Sequence, residues 1–442
     1  MDQHNSSGEQ LTAKPVATAD RIKSIDTIRG VALLGILMMN IPGFGINWDF
    51  WYNITHAPHS GKDYYTFATV MVFFEGTMRG LFSMLFGAGM VLFMLNKKDP
   101  PLGPTVAEYY YRRLLWLVLF GLFNAFVLLW EGDILFFYGL CGMILFPFRK
   151  LKPQWLLVIG LVCIAFTMLK SNIDYQESRD KRNMYNEAVS AVKEKKKLTP
   201  EQAAAKTEWT EMEKRQKPDT FYTNENQRKM RSGYPTIFTY FIPQNVGGEV
   251  WYMYNGLWDM LCMMFIGMAL FLWGFFSNKL RTSTYVMWML IGYGIGIPVG
   301  WMIVDQGYMG AATWGEYVDR WRVGHMVFAE FRRLPLTIGH ASLIMLIFRS
   351  RLVPGLMKAL SNVGQMAFTN YLMQSIICTF FFYGYGWGNY NRLYFHQLYY
   401  VVGSVWIFQL LFSSIWLRYF RFGPFEWLWR SLTYWKKQPM RL

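Results

Sequence analysis

Residues 260–276 read MLCMMFIGMALFLWGFF, seventeen positions without a charge. A helix of about 20 apolar residues crosses the roughly 30 Å hydrocarbon core of a bilayer, and this window has counterparts along the chain. VALLGILMMNIPGFGINW (31–48), WLLVIGLVCIAFTML (155–169) and VVGSVWIFQLLFSSIWL (401–417) carry no charge either. The 442 residues are 53% hydrophobic, 19% aromatic and only 17% charged, against about 25% charged in a soluble domain. Apolar residues clumped in this way cannot be buried in one soluble core, so the chain is a polytopic membrane protein.

Ten spans account for the pattern, near 28–47, 68–95, 112–130, 133–149, 154–170, 256–276, 284–304, 323–348, 363–384 and 400–417. Every second connection is basic. Arg21, Lys23 and Arg29 precede the first span, Lys97, Lys98, Arg112 and Arg113 join the second and third, and Arg149, Lys150 and Lys152 join the fourth and fifth. Lys279 and Arg281, then Arg349, Arg351 and Lys358, continue the alternation, and six more cations follow the last span. The positive-inside rule therefore puts both termini in the cytoplasm. The net charge of +15 belongs to this topology, and no nucleic-acid motif accompanies it. The expected fold is all-α, with about ten transmembrane helices and a charged helical insertion on the outer side. Its parts are a cytoplasmic segment (1–27), a first bundle (28–170) containing an outer loop (48–67), the insertion (171–255), a second bundle (256–417) and a cytoplasmic tail (418–442). Within the insertion, Thr199 followed by Pro200 and Glu201 predicts a helix start. The first span follows a polar stretch with no small-residue cleavage signal, which predicts a retained helix. The four cysteines are scattered without CxxC spacing, so neither a disulfide framework nor a zinc site is expected.

Ionisable residues inside spans are costly and mark functional candidates. Glu75 and Arg79 lie four apart in the second span, where they form either a self-neutralising structural pair or part of a site. Gly76 and Gly80 have the spacing of a small-residue packing seam. HMVFAEFRRLPLTIGH (325–340) carries Glu330, Arg332 and Arg333 ahead of Pro335. If it is one helix, the proline breaks or kinks it beside two arginines able to hold phosphates; otherwise Glu330–Arg333 is a surface segment. His325 and His340 read better as structural histidines. Glu131 and Asp133 sit at an outer turn, where Asp133 caps the following helix or takes part in chemistry.

The outer loop holds WYNITHAPHSG (51–61), with two of the six histidines in the chain. Histidine is well matched to general-base work near neutral pH, and His56 and His59 lack a third ligand at metal-site spacing. The bland reading is an aromatic interfacial belt with incidental imidazoles.

IDTIRGVALLGILMMNI (25–41), GDILFFYGLCGM (132–143), VGQMAFTNYLMQSIICTFFFYG (363–384) and FGPFEWLWRSLTYW (422–435) resemble the YeiB-like bacterial membrane proteins, whose carboxyl-terminal half is a domain of unknown function. More broadly, the order Arg29, Asn40 and HAPHSG is similar to the family of heparan-α-glucosaminide N-acetyltransferase. That resemblance implies a membrane acyltransferase with His56 as catalytic base, His59 as its rival and Asn40 beside it. The chain departs in having extra residues between Asn40 and His56 and no tryptophan after the His-Ala pair. Acetyl-CoA or another acyl-CoA is the implied donor, held by Arg29, Arg112 or Arg113, with Arg79, Arg332 and Arg333 as further phosphate candidates and Asp26 as another buried polar group. The acceptor is a glycan or lipid on the outer face, no metal is called for, and partners are the bilayer and further copies of the chain in a homo-oligomer. The expected location is the bacterial inner membrane. The competing function is a transporter or exporter of a small anionic or amphipathic solute, and a scaffold presenting the outer insertion has the least support.

Overall fold

A computed structural model describes residues 22–47, 49–56, 58–94, 104–217, 220–311 and 313–442. The chain begins with α1 (Lys23–Gly45), a short α2 (Asp49–His56), and the pair α3 (Gly61–Phe73) and α4 (Thr77–Met94). Next come α5 (Val106–Phe126), α6 (Leu135–Leu145), α7 (Pro153–Lys193), α8 (Pro200–Gln216), α9 (Thr220–Met230) and α10 (Tyr234–Asn255). The second half holds α11 (Leu257–Leu272), α12 (Thr282–Met302), α13 (Trp314–Arg320), α14 (His325–Ser350), α15 (Pro354–Gln365), α16 (Ala367–Phe382), α17 (Phe395–Trp416) and α18 (Pro424–Tyr434). The described residues include no strand beyond an isolated bridge between Phe420 and Arg441.

The expected spans fall largely on helices, although 363–384 begins in α15 and continues as α16 beyond a break at Met366. Six helical stretches are long and apolar enough to cross a membrane: Lys23–Gly45, Gly61–Met94, Pro153–Lys193, Thr282–Tyr308, Val327–Ser350 and Phe395–Trp416. Helices α11 and α16 are apolar but shorter. Helix α6 has 11 residues, about 16 Å of rise, half a hydrocarbon core, so the expected span 133–149 is completed by a 3₁₀ turn, Phe146–Lys150. Large apolar side chains on α7, α12 and α17, among them Trp155, Leu290 and Ile407, face outward, where lipid accepts them.

Small residues set the closest helix contacts. Gly87 of α4 lies against the Met264 carbonyl of α11, and Gly267 answers against the Met84 carbonyl. Gly30 of α1 meets the Leu360 carbonyl of α15, and Gly364 meets the Asp26 carbonyl. Without a hydrophobic drive between helices in lipid, such backbone proximity supplies the association.

Three expectations are corrected. The second span is broken: Gly76 takes a positive φ of 67° between α3 and α4, so Gly76 is a hinge against the Arg333 side chain and Glu75 and Arg79 do not share one helix face. Pro335 does not break α14, which runs through it. Gly292 of α12 nests against the Pro335 carbonyl, and the Thr337 hydroxyl donates to the Arg333 carbonyl at 2.7 Å; a neighbouring helix and a hydroxyl support the turn that proline weakens. Finally, α7 does not end at residue 170 but continues to Lys193, carrying the membrane helix straight into the charged insertion. There Thr199 caps α8 reciprocally with Gln202, as its sequence predicts. The four cysteines are buried and unpaired.

Candidate functional site

At the end marked cytoplasmic by the basic connections, α1, α4, α5, α6, α16 and α18 enclose a cavity of about 1190 Å3, its mouth included. Arg29, Arg113 and Arg430 line it together with an apolar wall that includes Phe82, Phe86 and Leu117. Arg29 is held by Asp26 at 3.0 Å. Arg113 stacks 4.1 Å over Trp429, whose indole N–H donates to the Arg113 carbonyl at 2.8 Å. The tail is therefore folded: α18 closes one side, and Glu426 accepts from the amides of Phe368 and Thr369 at 2.7 and 3.0 Å and from the Thr369 hydroxyl at 2.5 Å. Burial pushes the Glu426 carboxyl upward against these bonds. At the buried end stand Tyr138 and Tyr371. Tyr371 donates to Asp133 at 3.4 Å, which also accepts from Asn124 at 2.7 Å and from the Phe136 amide at 3.0 Å. Asp133 thus holds a first-turn amide of α6.

A second cavity, about 1550 Å3 with its mouth, is built from the outer end of α7, the start of α11 and α14, and the α3–α4 hinge. Arg332 pairs with Glu75, and Arg333 with Asp259 and with Glu330 at 2.8 Å. Arg79 pairs with Asp259 at 2.9 Å. The lining is balanced, Glu75, Asp174, Asp259 and Glu330 against Arg79, Lys170, Arg332 and Arg333. Three of the six arginines expected to hold phosphate, Arg79, Arg332 and Arg333, are thus engaged by carboxylates of the chain, as buried charges require. Glu330 lies within α14 and is buried, not on a surface segment.

His56 lines a third pocket with Tyr52, Glu213, Tyr308 and Trp314. This pocket shares Trp314 with the charged chamber and no residue with the cytoplasmic cavity. His56 is exposed, its Nδ1 lies 2.7 Å from the Tyr52 carbonyl, and its ring stacks on Tyr52. His59 is exposed and stacks on Tyr64. Asn40 is half-buried on α1 and is absent from the linings of the three cavities. Arg112 stacks 4.9 Å over Trp435 and does not line the cavity that Arg29 and Arg113 share. His340 has both nitrogens engaged, with the Phe73 carbonyl at 2.8 Å and Tyr293 at 2.9 Å, the structural role expected of it; the His325 side chain lies outside the described residues.

Sequence reasoning missed Asp259, Tyr138, Tyr371, Glu426 and Arg430. A charge scan extended one residue before the 260–276 window would have found Asp259. The others had no signal, because their meaning depends on α6, α16 and α18 converging.

Residues 270–436 match the family model described as "Protein of unknown function (DUF418)". The chain is 31% identical over 440 residues to the uncharacterized protein YxaH of Bacillus subtilis, covering 97% of this chain and 98% of that one. The chain belongs to the YeiB-like DUF418 family. It is 29% identical over 430 residues to the uncharacterized protein YeiB of Escherichia coli, covering 94% of this chain and 96% of that one. No solved structure matches it. The DUF418 segment supplies one wall of both large cavities, through Glu330, Arg332 and Arg333 on one side and Tyr371, Glu426 and Arg430 on the other. The walls from α1, α4, α5 and α6 precede it, within the length shared with the two relatives.

Proposed function

We propose that this YeiB-like protein is an acyltransferase of the bacterial cytoplasmic membrane, moving an acyl group from cytoplasmic acyl-CoA to a hydroxyl or amine on the outer face. The observation that carries the reading is the pair of opposed cavities. One opens among the basic connections, with three arginines over an apolar depth, a match for a phosphorylated amphiphile, since guanidinium forks suit phosphate. The other is charge-balanced, and Ser171, Asp174, Tyr175, Ser178 and Trp314 bring the outer connections to it. In the reaction the acceptor oxygen or nitrogen bonds to the thioester carbonyl carbon and the carbon–sulfur bond breaks. The sulfur leaves with that electron pair and is protonated to free CoA, while the base takes the acceptor's proton. By the resemblance that base is His56, with Asn40 assisting and His59 as its rival; the acceptor is a glycan or lipid.

One observation favours a transporter instead: the hinged α3–α4 helix whose Glu75 and Arg79 sit in a neutralised charge network, as broken helices do around transported solutes. Purified protein with labelled acetyl-CoA separates the two. Acyl transfer to a membrane glycan or lipid fraction, with a CoA-dependent rise in thermal midpoint, is expected. No shift at millimolar CoA and no transfer would sink the enzyme reading.

A further inference from the structure

We infer that the acyl group passes from the cytoplasmic cavity toward the outer chamber between Tyr138 and Ser83. The inference rests on the acyl-transfer reading and names the route within it. The two large cavities share no lining residue, yet one stretch of α4 faces both: Arg79 lines the outer chamber, and Phe82, Leu85 and Phe86 line the cytoplasmic cavity. One turn of α-helix, 3.6 residues, therefore separates the compartments here. Tyr138 of α6 closes the gap. Its hydroxyl lies 2.8 Å from the Ser83 hydroxyl and donates toward the Arg79 carbonyl at 3.4 Å, which also accepts from Ser83 at 2.9 Å. The Tyr138 ring itself belongs to the cytoplasmic cavity.

The partition at this point is a pair of hydroxyls set in packed helix faces, Ser83 and Tyr138 each being 1% exposed. Opening one neutral hydrogen bond costs on the order of 1 kcal/mol, and a replacement partner restores most of it. The carbonyl or amide of an acyl-pantetheine arm is such a replacement for Ser83. The Tyr138 ring lies between Phe82 and Phe86, at 5.7 and 5.2 Å with near-parallel planes, so it slides along aromatic faces when the bond to Ser83 opens. Tyr138 and Ser83 are positioning residues: they meter passage and keep outer-chamber water from the thioester.

Three variants test this in the full-length protein, read by CoA affinity, transfer of labelled acetyl and acceptor-independent release of CoA. Ser83→Leu, which puts bulk at the contact with Tyr138, should bind CoA within about twofold of wild type yet lose transfer by about a hundredfold, the scale seen when reacting groups are kept apart. Tyr138→Phe and Ser83→Ala, which remove the hydroxyl contact, should raise the ratio of hydrolysis to transfer severalfold, and Ser83→Ala, at a position outside the donor cavity's lining, should keep CoA affinity. Wild-type transfer by Ser83→Leu, or an unchanged hydrolysis ratio in both conservative variants, overturns the route; if Ser83→Leu fails to fold, the conservative pair decides. A wild-type protein that neither binds CoA nor transfers acyl groups overturns the acyltransferase reading itself, a separate outcome.

Discussion

Replacing Arg113 by alanine gives the most direct measure of the cytoplasmic cavity. Its guanidinium stands beside Arg29 and Arg430 and is fixed from behind by Trp429 at 4.1 Å, so its donors are oriented before any ligand arrives. A hydrogen bond to a charged group contributes about 1.5–3 kcal/mol, and about 1.4 kcal/mol is tenfold in affinity. Arg113→Ala should weaken CoA binding roughly 10- to 150-fold. The same change removes a cation–π contact of about 0.5–2 kcal/mol, so the unliganded thermal midpoint should drop as well and must be measured in parallel. Arg113→Lys separates the two, keeping a charge while losing the fork and most of the stacking; its affinity should fall between wild type and alanine. Calorimetric titration of CoA into protein in nanodiscs reads all three. Arg113→Ala binding CoA within about twofold of wild type would refute the assignment of this cavity to the donor, because no other effect of the substitution offsets a lost phosphate contact of that size.

Gly30→Ala drives a Cβ into the Leu360 carbonyl, an overpacking cost of about 1–3 kcal/mol or more, visible as a lower thermal midpoint; an unchanged midpoint would mean that α15 is not seated on α1. His56→Ala should abolish acyl transfer with stability changed by less than about 0.5 kcal/mol, since the side chain is exposed, while His59→Ala retains activity; full activity in His56→Ala removes it as the base. Asp319 is held below its ordinary value of 3.8, first by its hydrogen bond from Arg182. Its contribution is complete above that value and disappears as the pH falls through the lower folded one, so amide exchange in α13 and the α7 turns it faces should quicken below pH 3.8. Asp319→Asn should show that quickened exchange already at neutral pH.

Much of the architecture was legible because lipid imposes a simple rule: apolar length makes a span and basic ends orient it. That rule finds α1, α7, α12 and α17 directly. It fails where a helix is short or its polarity is internally compensated. Helix α6 is only half a span, and Glu75 and Arg79 read as partners by spacing, whereas the Gly76 hinge turns them toward Arg332 and Asp259. The site was legible in pieces. Arg29 and Arg113 were singled out for phosphate and do line one cavity, Arg29 with Asp26 on its flank, but Arg332 and Arg333, chosen on the same chemistry, are buried among the carboxylates of another. Residue type announces what a side chain is able to bind; only the fold decides what it already holds.

Helix α7 has 41 residues without a break, and about 35 Å of it lies beyond residue 170 at 1.5 Å per residue. Its outer half carries Asp174 and Tyr175 of the charged chamber and Arg182, which grips Asp319. A rod has no elbow, so the roof over the outer cavities is steered from within the lipid. A change of roughly 5° in tilt displaces the far tip by about 3 Å over that length. Because helices tilt to match hydrocarbon thickness, bilayer composition becomes a lever on outer access, and short-chain and long-chain lipids should yield different rates from one protein.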